Sequence, residues 1–413
     1  MGLGVAGDAT VAALANILKT TYEKKLRTMT YPESVLFGRM KKVEKFGGNN
    51  RRVSLRYGTP QGGSFGFSTA QANKGSSNDA AFLLTRAKDY HISGISAEAM
   101  LAGEGDENSL MSTIKGEMDG STSTFGRSIA AQLYRNGGGA RGQISAASNV
   151  ATNTITLLEP SDVVLWETQM WVQASVADGT SGALRNGGAH TQILAIDRDA
   201  GTLTTTEAAW NTTILAIAAS DFLFREGDFG GAAKGLLAWL PTVAPVGGES
   251  FFGQDRSFDK VRLGGVRFAA TSGASKEDTL IDCSARLGRE RAKPDAVYLN
   301  NLDRADIVKN LMGKAVFEMT TATDGIIGYK ALILEGDKGP LKIFADPNCP
   351  KGKFFMLQED TWEIRSIKAI PHFIDEDGNK FLREASSDGY EWRMRALWQP
   401  CCDAPGYNAN GTF

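Results

Sequence analysis

The chain contains three histidines and four cysteines, the side chains that most often serve as nucleophiles, bases or metal ligands. His91, His190 and His372 lie far apart, and none sits in an HxxxH, HExxH or CxxC context. No cysteine is close to a histidine and no GxSxG motif is present, so nothing supplies a nucleophile, a base and an oxyanion site together. We therefore expect no catalytic and no metal-binding residue, and we interpret the adjacent Cys401 and Cys402 as structural.

Glycine-rich and acidic motifs also fail the tests for a cofactor site. Gly2, Gly4 and Gly7 match GxGxxG, but no strand precedes them, as a dinucleotide site requires. Residues 137–145 (GGGARGQIS) lack the GK[ST] of a phosphate-binding loop. Residues 375–378 (DEDG) resemble the start of a calcium loop without its spaced carboxylates, so they predict a tight hairpin turn. We expect no cofactor.

Composition indicates a folded protein with more than one domain. A length of 413 residues suffices for two or three domains, and 42% hydrophobic with 22% charged residues is ordinary for globular proteins. No apolar run approaches the roughly 18 residues of a membrane span, so we expect no membrane contact. The cysteines have no regular spacing and predict reduced thiols.

Charge is distributed unevenly along the chain. Residues 1–57 hold eleven Lys or Arg against four Asp or Glu, whereas the remainder holds 34 against 43. A basic arm on an acidic body favours contact with something acidic, either nucleic acid or the body of another copy, although a solvated basic surface explains it equally well. The basic residues singled out here are Lys24, Lys25, Arg27, Lys41, Lys42, Arg51 and Arg52.

A long polar loop separates two strand-like segments near the N-terminus. The segments are 51–57 (RRVSLRY) and 81–92 (AFLLTRAKDYHI), and the loop between them is 58–79 (GTPQGGSFGFSTAQANKGSSND). Loops of this length in compact domains are either functional or disordered, and a lone hairpin is marginal in water. Phe65 and Phe67, two residues apart, predict one face of a strand that contacts a neighbouring chain.

The remaining pattern predicts helices before a β module, then mixed helices and strands, and then a strand-rich C-terminal part. Amphipathic spacing predicts a helix over 9–28, a short one from Val35 to Val43 and a long one over 107–136. Residues 140–226 predict a compact β module with its own core. Beyond it, 227–333 mix helices with strands and 328–400 are strand-rich.

This order of elements resembles the major capsid protein of tailed bacteriophages, the Hong Kong 97-type fold. An amphipathic arm, a glycine-rich hairpin, a long spine helix, an α/β body and C-terminal strands follow one another. Three stretches are similar in texture to such proteins: LKTTYEKKLRTMTYPESVLFGRMKKVEKFGG, FADPNCPKGKFFMLQEDTWEIR and YEWRMRALWQPCCDAPGYN. The resemblance covers residues 1–139 and 227–413 and rests on order rather than on an invariant motif.

The resemblance implies an α+β fold of named parts with an added all-β domain. It assigns 1–47 to the N-terminal arm, 48–92 to the E-loop, 93–139 to the spine helix of the P-domain, 140–226 to an inserted β domain, 227–354 to the A-domain, 355–400 to the P-domain strands and 401–413 to an exposed C-terminal tail. In that family the E-loop crosses a neighbouring subunit, and in some members a loop lysine forms an isopeptide bond. Lys74 is the one candidate here, although a solvated loop charge is its ordinary interpretation.

The function that follows is a structural one. We expect a major capsid protein that assembles as pentamers and hexamers into an icosahedral shell around phage double-stranded DNA. No long helical segment precedes the arm, so we expect a separate scaffolding protein, together with a portal and weak, non-specific DNA contact. Assembly would take place in the bacterial cytoplasm and the product would be the virion. The alternatives are an encapsulin-like nanocompartment shell and, in another class, a β-rich hydrolase or carbohydrate-binding protein.

Overall fold

The structure is a computed structural model that describes residues 34–98, 107–206, 209–312, 332–376, 381–384 and 388–413, with the backbone alone for 107–115. The predicted helix over 9–28 and the basic residues Lys24, Lys25 and Arg27 lie outside the described residues.

Helices are few and mostly short in the described part of the chain. They are α1 (Val35–Arg39), α2 (Phe67–Ala72), α3 (Glu107–Tyr134), α4 (Trp210–Thr213), α5 (Leu236–Trp239), α6 (Lys276–Gly288) and α7 (Asn301–Met312).

Strands make up most of the regular structure. They are β1 (Lys41–Val43), β2 (Asn50–Gly58), β3 (Asn78–Thr85), β4 (Ala87–Ser96), β5 (Ala140–Gln143), β6 (Thr154–Thr156), β7 (Trp171–Ser175), β8 (His190–Asp197), β9 (Thr202–Thr205), β10 (Phe222–Arg225), β11 (Ser250–Phe251), β12 (Gln254–Asp255), β13 (Val266–Ala269), β14 (Ala296–Leu299), β15 (Leu332–Gly336), β16 (Gly339–Ala345), β17 (Lys353–Leu357), β18 (Trp362–Ser366), β19 (His372–Phe373), β20 (Leu382–Arg383), β21 (Gly389–Cys402) and β22 (Ala409–Thr412).

The long helix α3 confirms the strongest helical prediction. Phe125, Ile129 and Leu133 fall on one stripe and are fully buried against the main core, at the spacing that places them on one face. The helix ends before Gly137 and Gly139, both at positive φ, as glycines past a helix terminus commonly are.

Strand β21 organises the sheet beneath α3. It pairs along ten residues with β4 on one edge, and on the other edge it pairs in succession with β18, β19 and β20. Its inward side chains, Trp392, Met394, Ala396 and Trp398, are buried. Met394 lies 3.7 Å from the hydroxyl of Thr122 on α3, so helix and sheet form two packed layers.

A second six-stranded sheet has the order β13-β22-β17-β14-β16-β15. Helices α6 and α7 cover one face, with Leu280, Cys283 and Leu287 of α6 buried against it. The main core covers the other face through Tyr298 and Phe355. Coverage on both faces explains why all four residues of β14 are buried and why its sequence shows no polar alternation.

Residues 140–226 form a separate six-stranded sheet, in the order β5-β10-β7-β8-β9-β6. The sheet has its own apolar cluster around Trp166 and Trp210, and Ala131 of α3 contributes to it. We call this unit the β module.

The prediction of an exposed C-terminal tail is wrong. Strand β22 lies inside the second sheet, parallel to β13 and antiparallel to β17. The fully buried Asn408 holds the segment in place, because its side-chain oxygen accepts hydrogen bonds from the Gln358 backbone and the Trp362 indole, each at 2.9 Å. Gly411 is required because an added Cβ would lie 2.0 Å from the ring of Phe354.

Two smaller predictions also need correction, and a third lies partly outside the described residues. The helix expected from Val35 to Val43 ends at Arg39, since Met40 is extended and the next residues pair with β18. Residues 377 and 378 of the turn predicted at 375–378 lie outside the described residues, while strands β19 and β20 on either side of it both pair with β21. The boundary placed between 354 and 355 divides β17, which belongs wholly to the second sheet.

Candidate assembly surfaces

The hairpin of β2 and β3 has a root that is built into the core. Val53 on β2 and Phe82 on β3 face each other across the pair and are both buried. The ring of Phe82 meets Trp239 edge-on at 5.2 Å, and its neighbour Leu83 donates a backbone hydrogen bond of 2.8 Å to Phe252. Aromatic packing of this kind fixes the direction in which the hairpin leaves the body.

The apex of the hairpin, residues 59–79, contacts little else. None of these residues is buried, although the structure describes all of them. Phe65 is fully exposed and Phe67 is 84% exposed, while Lys74 is exposed beside them. The predicted strand face is wrong, because Phe67 begins α2 and Gly66 precedes it as an N-cap. Both rings nevertheless lack apolar cover, which is unusual for two phenylalanines so close in sequence.

The described part of the basic arm lies on its own chain. Strand β1 runs parallel to β18, and the ammonium of Lys41 is 2.8 Å from the Glu363 carboxylate. The ammonium of Lys42 sits 4.3 Å from the ring of Phe37, and burial lowers the pKa of this amine. These contacts account for Lys41 and Lys42 without nucleic acid.

The remaining basic residues that the structure describes lie on the hairpin. Arg51 and Arg52 are exposed on β2, and Arg51 donates a weak hydrogen bond of 3.4 Å to the Lys45 carbonyl. The described basic residues therefore lie on two separate strand pairings, Lys41 and Lys42 on β1 beside β18 and Arg51 and Arg52 on β2 beside β3.

A buried polar network holds the start of the described chain. The Ser34 hydroxyl donates to Asp346 at 2.6 Å, and the same carboxylate oxygen accepts from the Tyr134 hydroxyl at 3.0 Å. Burial raises the pKa of the Tyr134 phenol well above its usual range, and the adjacent Asp346 carboxylate adds to the shift. Nearby, Arg39 makes a bidentate ion pair with Glu359, in which Nε and Nη2 donate to the two carboxylate oxygens at 2.7 and 2.6 Å.

The β module is joined to the body by buried charges. Asp89 on β4 accepts from Arg225 of the module at 2.8 Å, and from Ser128 and Gln132 on α3 at 2.9 and 2.7 Å. Arg225 also pairs with Asp228 at 2.8 Å. Two further pairs reach the module, Arg127–Glu167 from α3 at 2.5 Å and Arg135–Asp162 from the residue that follows α3 at 2.8 Å. No sequence pattern predicts this network, because its members lie far apart along the chain, from Asp89 to Asp228.

The histidines occupy structural positions. His91 stacks at 6.1 Å on Phe125, and burial lowers the pKa of its imidazole, with the nearby Arg225 charge contributing. His372 bonds the Ala369 carbonyl through Nδ1 and accepts from Arg395 through Nε2. Among the described residues, no cluster of His, Cys, Asp and Glu is arranged to hold a metal ion.

All four cysteines, each within the described residues, are free and buried. Burial raises the pKa of the Cys283 thiol to about 12, and it also raises the pKa of the Cys349, Cys401 and Cys402 thiols. Such thiols are poor nucleophiles.

In the described part of the chain, no helix has the length and apolar character that crossing a membrane demands.

One surface feature escaped the sequence reasoning. Val243, Val246 and Phe258 are 77%, 61% and 72% exposed; the valines lie in the loop before β11, and Phe258 lies in the short 3-10 helix Ser257–Asp259 after β12. The loop sequence PTVAPVGGES places both valines among prolines and glycines. Apolar residues within such a turn-rich loop were the sequence pattern that could have predicted exposed apolar side chains.

Solved phage capsid structures are similar to this chain over nearly its whole length. The cyanophage A-1(L) capsid asymmetric unit covers 98% of this chain and 99% of its own, with a TM-score of 0.53 and 10% identity. The capsid of a native GTA particle covers 99% of both chains at a TM-score of 0.49 and 8% identity, and the capsid of Myoviridae phage XM1 covers 100% and 99% at 0.45 and 9%. No protein-family model and no curated protein matches the sequence. The cyanophage likeness shows that the chain has the mixed α and β fold of a phage capsid subunit, which confirms the resemblance at the level of the fold.

Proposed function

We propose that this chain is a major capsid protein, a non-enzymatic subunit that assembles into the icosahedral head of a phage. The observation that carries the proposal is the likeness to the cyanophage capsid structure, which extends over 98% of the chain and is not confined to one domain. The comparisons do not favour a nanocompartment shell, a hydrolase or a carbohydrate-binding protein.

The hairpin supplies the physical reason to expect assembly. Its root is anchored by Phe82 and Trp239, whereas its apex carries two uncovered phenylalanines on a segment in which no residue is buried. A two-stranded ribbon of this kind is marginal in water on its own, so its stabilising contacts would belong to another copy. Copies joined through several such surfaces would bury more than the roughly 1,600 Å² of an ordinary complex.

The parts of the fold take the roles that the resemblance implies. The segment 48–92 would be the E-loop, α3 with β21 the core of the P-domain, and the second sheet with α6 and α7 the A-domain. The β module would be an insertion on the outer surface, held by its ionic junction to α3. Glycines in the apex would let one sequence fit both pentamers and hexamers, because glycine tolerates many backbone conformations.

Several partners belong to this proposal. A separate scaffolding protein would guide assembly in the bacterial cytoplasm, a portal would occupy one vertex, and the finished location would be the virion. Double-stranded DNA would contact the inner wall weakly and non-specifically, because a chain of net charge −2 gains little from counterion release. Lys74 is the candidate for a covalent bond between subunits.

The test is assembly itself. The chain is expressed in bacteria and analysed by size-exclusion chromatography and negative-stain microscopy, and we expect capsomers or megadalton shells. A variant lacking 60–78 should keep the tryptophan fluorescence of the folded body, because none of the deleted residues is buried in its own chain. The same variant should lose assembly. A 44 kDa monomer at all concentrations, even with a scaffolding protein and crowding agents present, would contradict the proposed function. Normal shells from the deletion variant would contradict the role of the hairpin alone.

A further inference from the structure

The β module is a self-contained unit with narrow connections to the rest of the chain. Its sheet closes on itself, because the backbone N–H of Leu158, just after β6, donates to the carbonyl of Gln143 on β5 at 2.7 Å. In the described part of α3, Ala131 is the one residue that belongs to the buried apolar cluster of the module. Both connections are rich in glycine, at 137–139 and at 227–231. A unit of this kind can move as a rigid body about its connections.

The contact that holds the module against α3 and β4 is charged. Arg225 of the module lies 2.8 Å from Asp89 on β4 and 2.8 Å from Asp228. Arg141 lies 3.1 Å from the same Asp228 and donates to Ser128 on α3 at 3.1 Å. We call these five residues the seat. Its two guanidinium and two carboxylate charges cancel, so a further positive charge here would lack a carboxylate of its own.

His91 lies beside the seat on the same face of β4. It follows Asp89 by two residues, and residues at that spacing in a strand point to one side. Its ring stacks on Phe125 of α3 at 6.1 Å, and Nε2 is 3.2 Å from the Ser93 hydroxyl. The Ser121 hydroxyl donates to Ser93 at 2.8 Å, which leaves the Ser93 proton for Nε2. The imidazole accepts this hydrogen bond and is therefore neutral in the seated arrangement.

Two charges act on the His91 ring, Asp89 from its own strand and Arg225 from the module. The other described elements packed against it present uncharged side chains, Phe125 from α3 and Met394 from β21. Burial lowers the pKa of the imidazole below its usual 6.5, the Arg225 charge lowers it further, and Asp89 opposes both. Departure of Arg225 removes one of these causes and leaves Asp89 free to pair with an imidazolium, so the released state binds the proton more tightly.

The pH dependence follows from this difference in proton binding. The stability of the seat is fully present above pH 6.5 and is lost as the pH falls through the lower pKa of the seated His91.

We propose that His91 is an acid switch that releases the β module from its seat. On protonation, the imidazolium replaces Arg225 as the partner of Asp89, and the module moves away on its glycine-rich connections with its own fold intact. The proton comes from solvent, and no covalent bond changes. The switch acts within one chain, so it goes beyond the proposed capsid function and does not depend on it.

Hydrogen–deuterium exchange of the full chain, measured by mass spectrometry, tests the release. The reporter amides lie in 226–233, where the Ala233 N–H donates to Gln132 at 3.0 Å and the Gly230 N–H donates to the Gly138 carbonyl at 2.9 Å. After correction for the intrinsic effect of pH on exchange, we expect these amides to lose protection between about pH 7.5 and about pH 5. The amides of β8 and β9 should keep theirs. Equal loss in both regions, or no loss in either, would overturn the proposal.

Two substitutions separate His91 from the other titrating groups. His91→Gln keeps an oxygen that can accept from Ser93 and cannot be protonated, so the reporter amides should stay protected at acid pH. His372→Gln is the matched control, because His372 contacts Ala369 and Arg395 and no residue of the seat. It should lose protection as wild type does. Acid release that persists in His91→Gln would refute the role of His91.

A titration of the wild-type chain provides a test that does not require His91→Gln to fold. Carbon-13 at histidine Cε1 gives one NMR signal for each of the three histidines, and His190→Gln and His372→Gln assign them. We expect the His91 signal to titrate over the same pH range in which the reporter amides lose protection. A His91 ring that stays neutral while the module is released, or that titrates with no loss of protection, would contradict the switch.

Discussion

The junction between β4, α3 and the β module depends on one buried carboxylate. Asp89 is 5% exposed and receives hydrogen bonds from Arg225, Ser128 and Gln132 at 2.7 to 2.9 Å. The substitution Asp89→Asn keeps the shape and replaces one accepting oxygen with an amide that donates. Either Arg225 or the α3 pair then faces a donor, and the guanidinium loses the charge of one of its two carboxylates.

The expected loss of stability follows from these contacts. Removing one member of a buried ion pair costs 3–5 kcal/mol when the other charge is left uncompensated. Here Arg225 keeps Asp228 at 2.8 Å, which offsets part of the loss. We therefore expect Asp89→Asn to lower the free energy of unfolding by about 3 kcal/mol.

Urea titrations followed by tryptophan fluorescence measure this change. Asp79→Asn is the matched control, because Asp79 also pairs with an arginine at 2.8 Å but both side chains are more than half exposed. Exposed pairs contribute little, so this control should be close to wild type. Equal losses from the two substitutions would refute the argument that burial makes the Asp89 network important.

Three other predictions follow from the described contacts. The four cysteines should resist iodoacetamide at pH 8 in the native chain, because burial raises the pKa of each thiol, and all four should react in urea. Alkylation of the native chain at pH 8 would contradict this prediction. Burial favours neutral Glu363, but hydrogen bonds and charges from Lys41 and Arg365 outweigh it and lower its pKa below the usual 4.5. The stability that the ionised Glu363 adds is therefore present above pH 4.5 and is lost as the pH falls through its lower folded-state pKa. We expect the difference in free energy of unfolding between wild type and Glu363→Gln to shrink in acid, and urea titrations at several pH values measure it. Gly139→Ala should destabilise the chain by roughly 1–3 kcal/mol, since φ is +91° and the new Cβ would lie 2.1 Å from the Asp228 carbonyl oxygen, whereas thermal unfolding of Gly126→Ala, in open space on α3, should show no loss.

Local sequence patterns were sufficient to predict an element wherever that element packs against a single kind of surroundings. Helix α3 places Phe125, Ile129 and Leu133 at intervals of four residues against a single core, so spacing alone predicted it. Strand β14 lies in the region predicted to mix helices with strands, and its four successive apolar residues fit a strand that is covered on both faces.

The failures share a physical cause, which is tertiary contact that the sequence does not encode locally. Strand β22 reads ANGT, in which Ala, Asn and Gly are depleted in strands, and it is held because Asn408 bonds Trp362 and Gly411 admits the ring of Phe354. The apex failed in the opposite direction: alternating phenylalanines predicted a strand, but no partner strand is present within the described chain and a short helix forms instead.

The division of the hairpin into an anchored root and a bare apex favours assembly over a binding pocket. An enzyme or a binding module concentrates its uncovered polar and apolar groups in a cavity, whereas here Phe65 and Phe67 project on a ribbon away from the core. The root is held by edge-on contacts of Phe82 with Trp239 at 5.2 Å and with Phe251 at 6.0 Å, so aromatic packing fixes it against the body. Because no residue of the apex is buried in its own chain, we expect burial against another copy to stabilise residues 59–79.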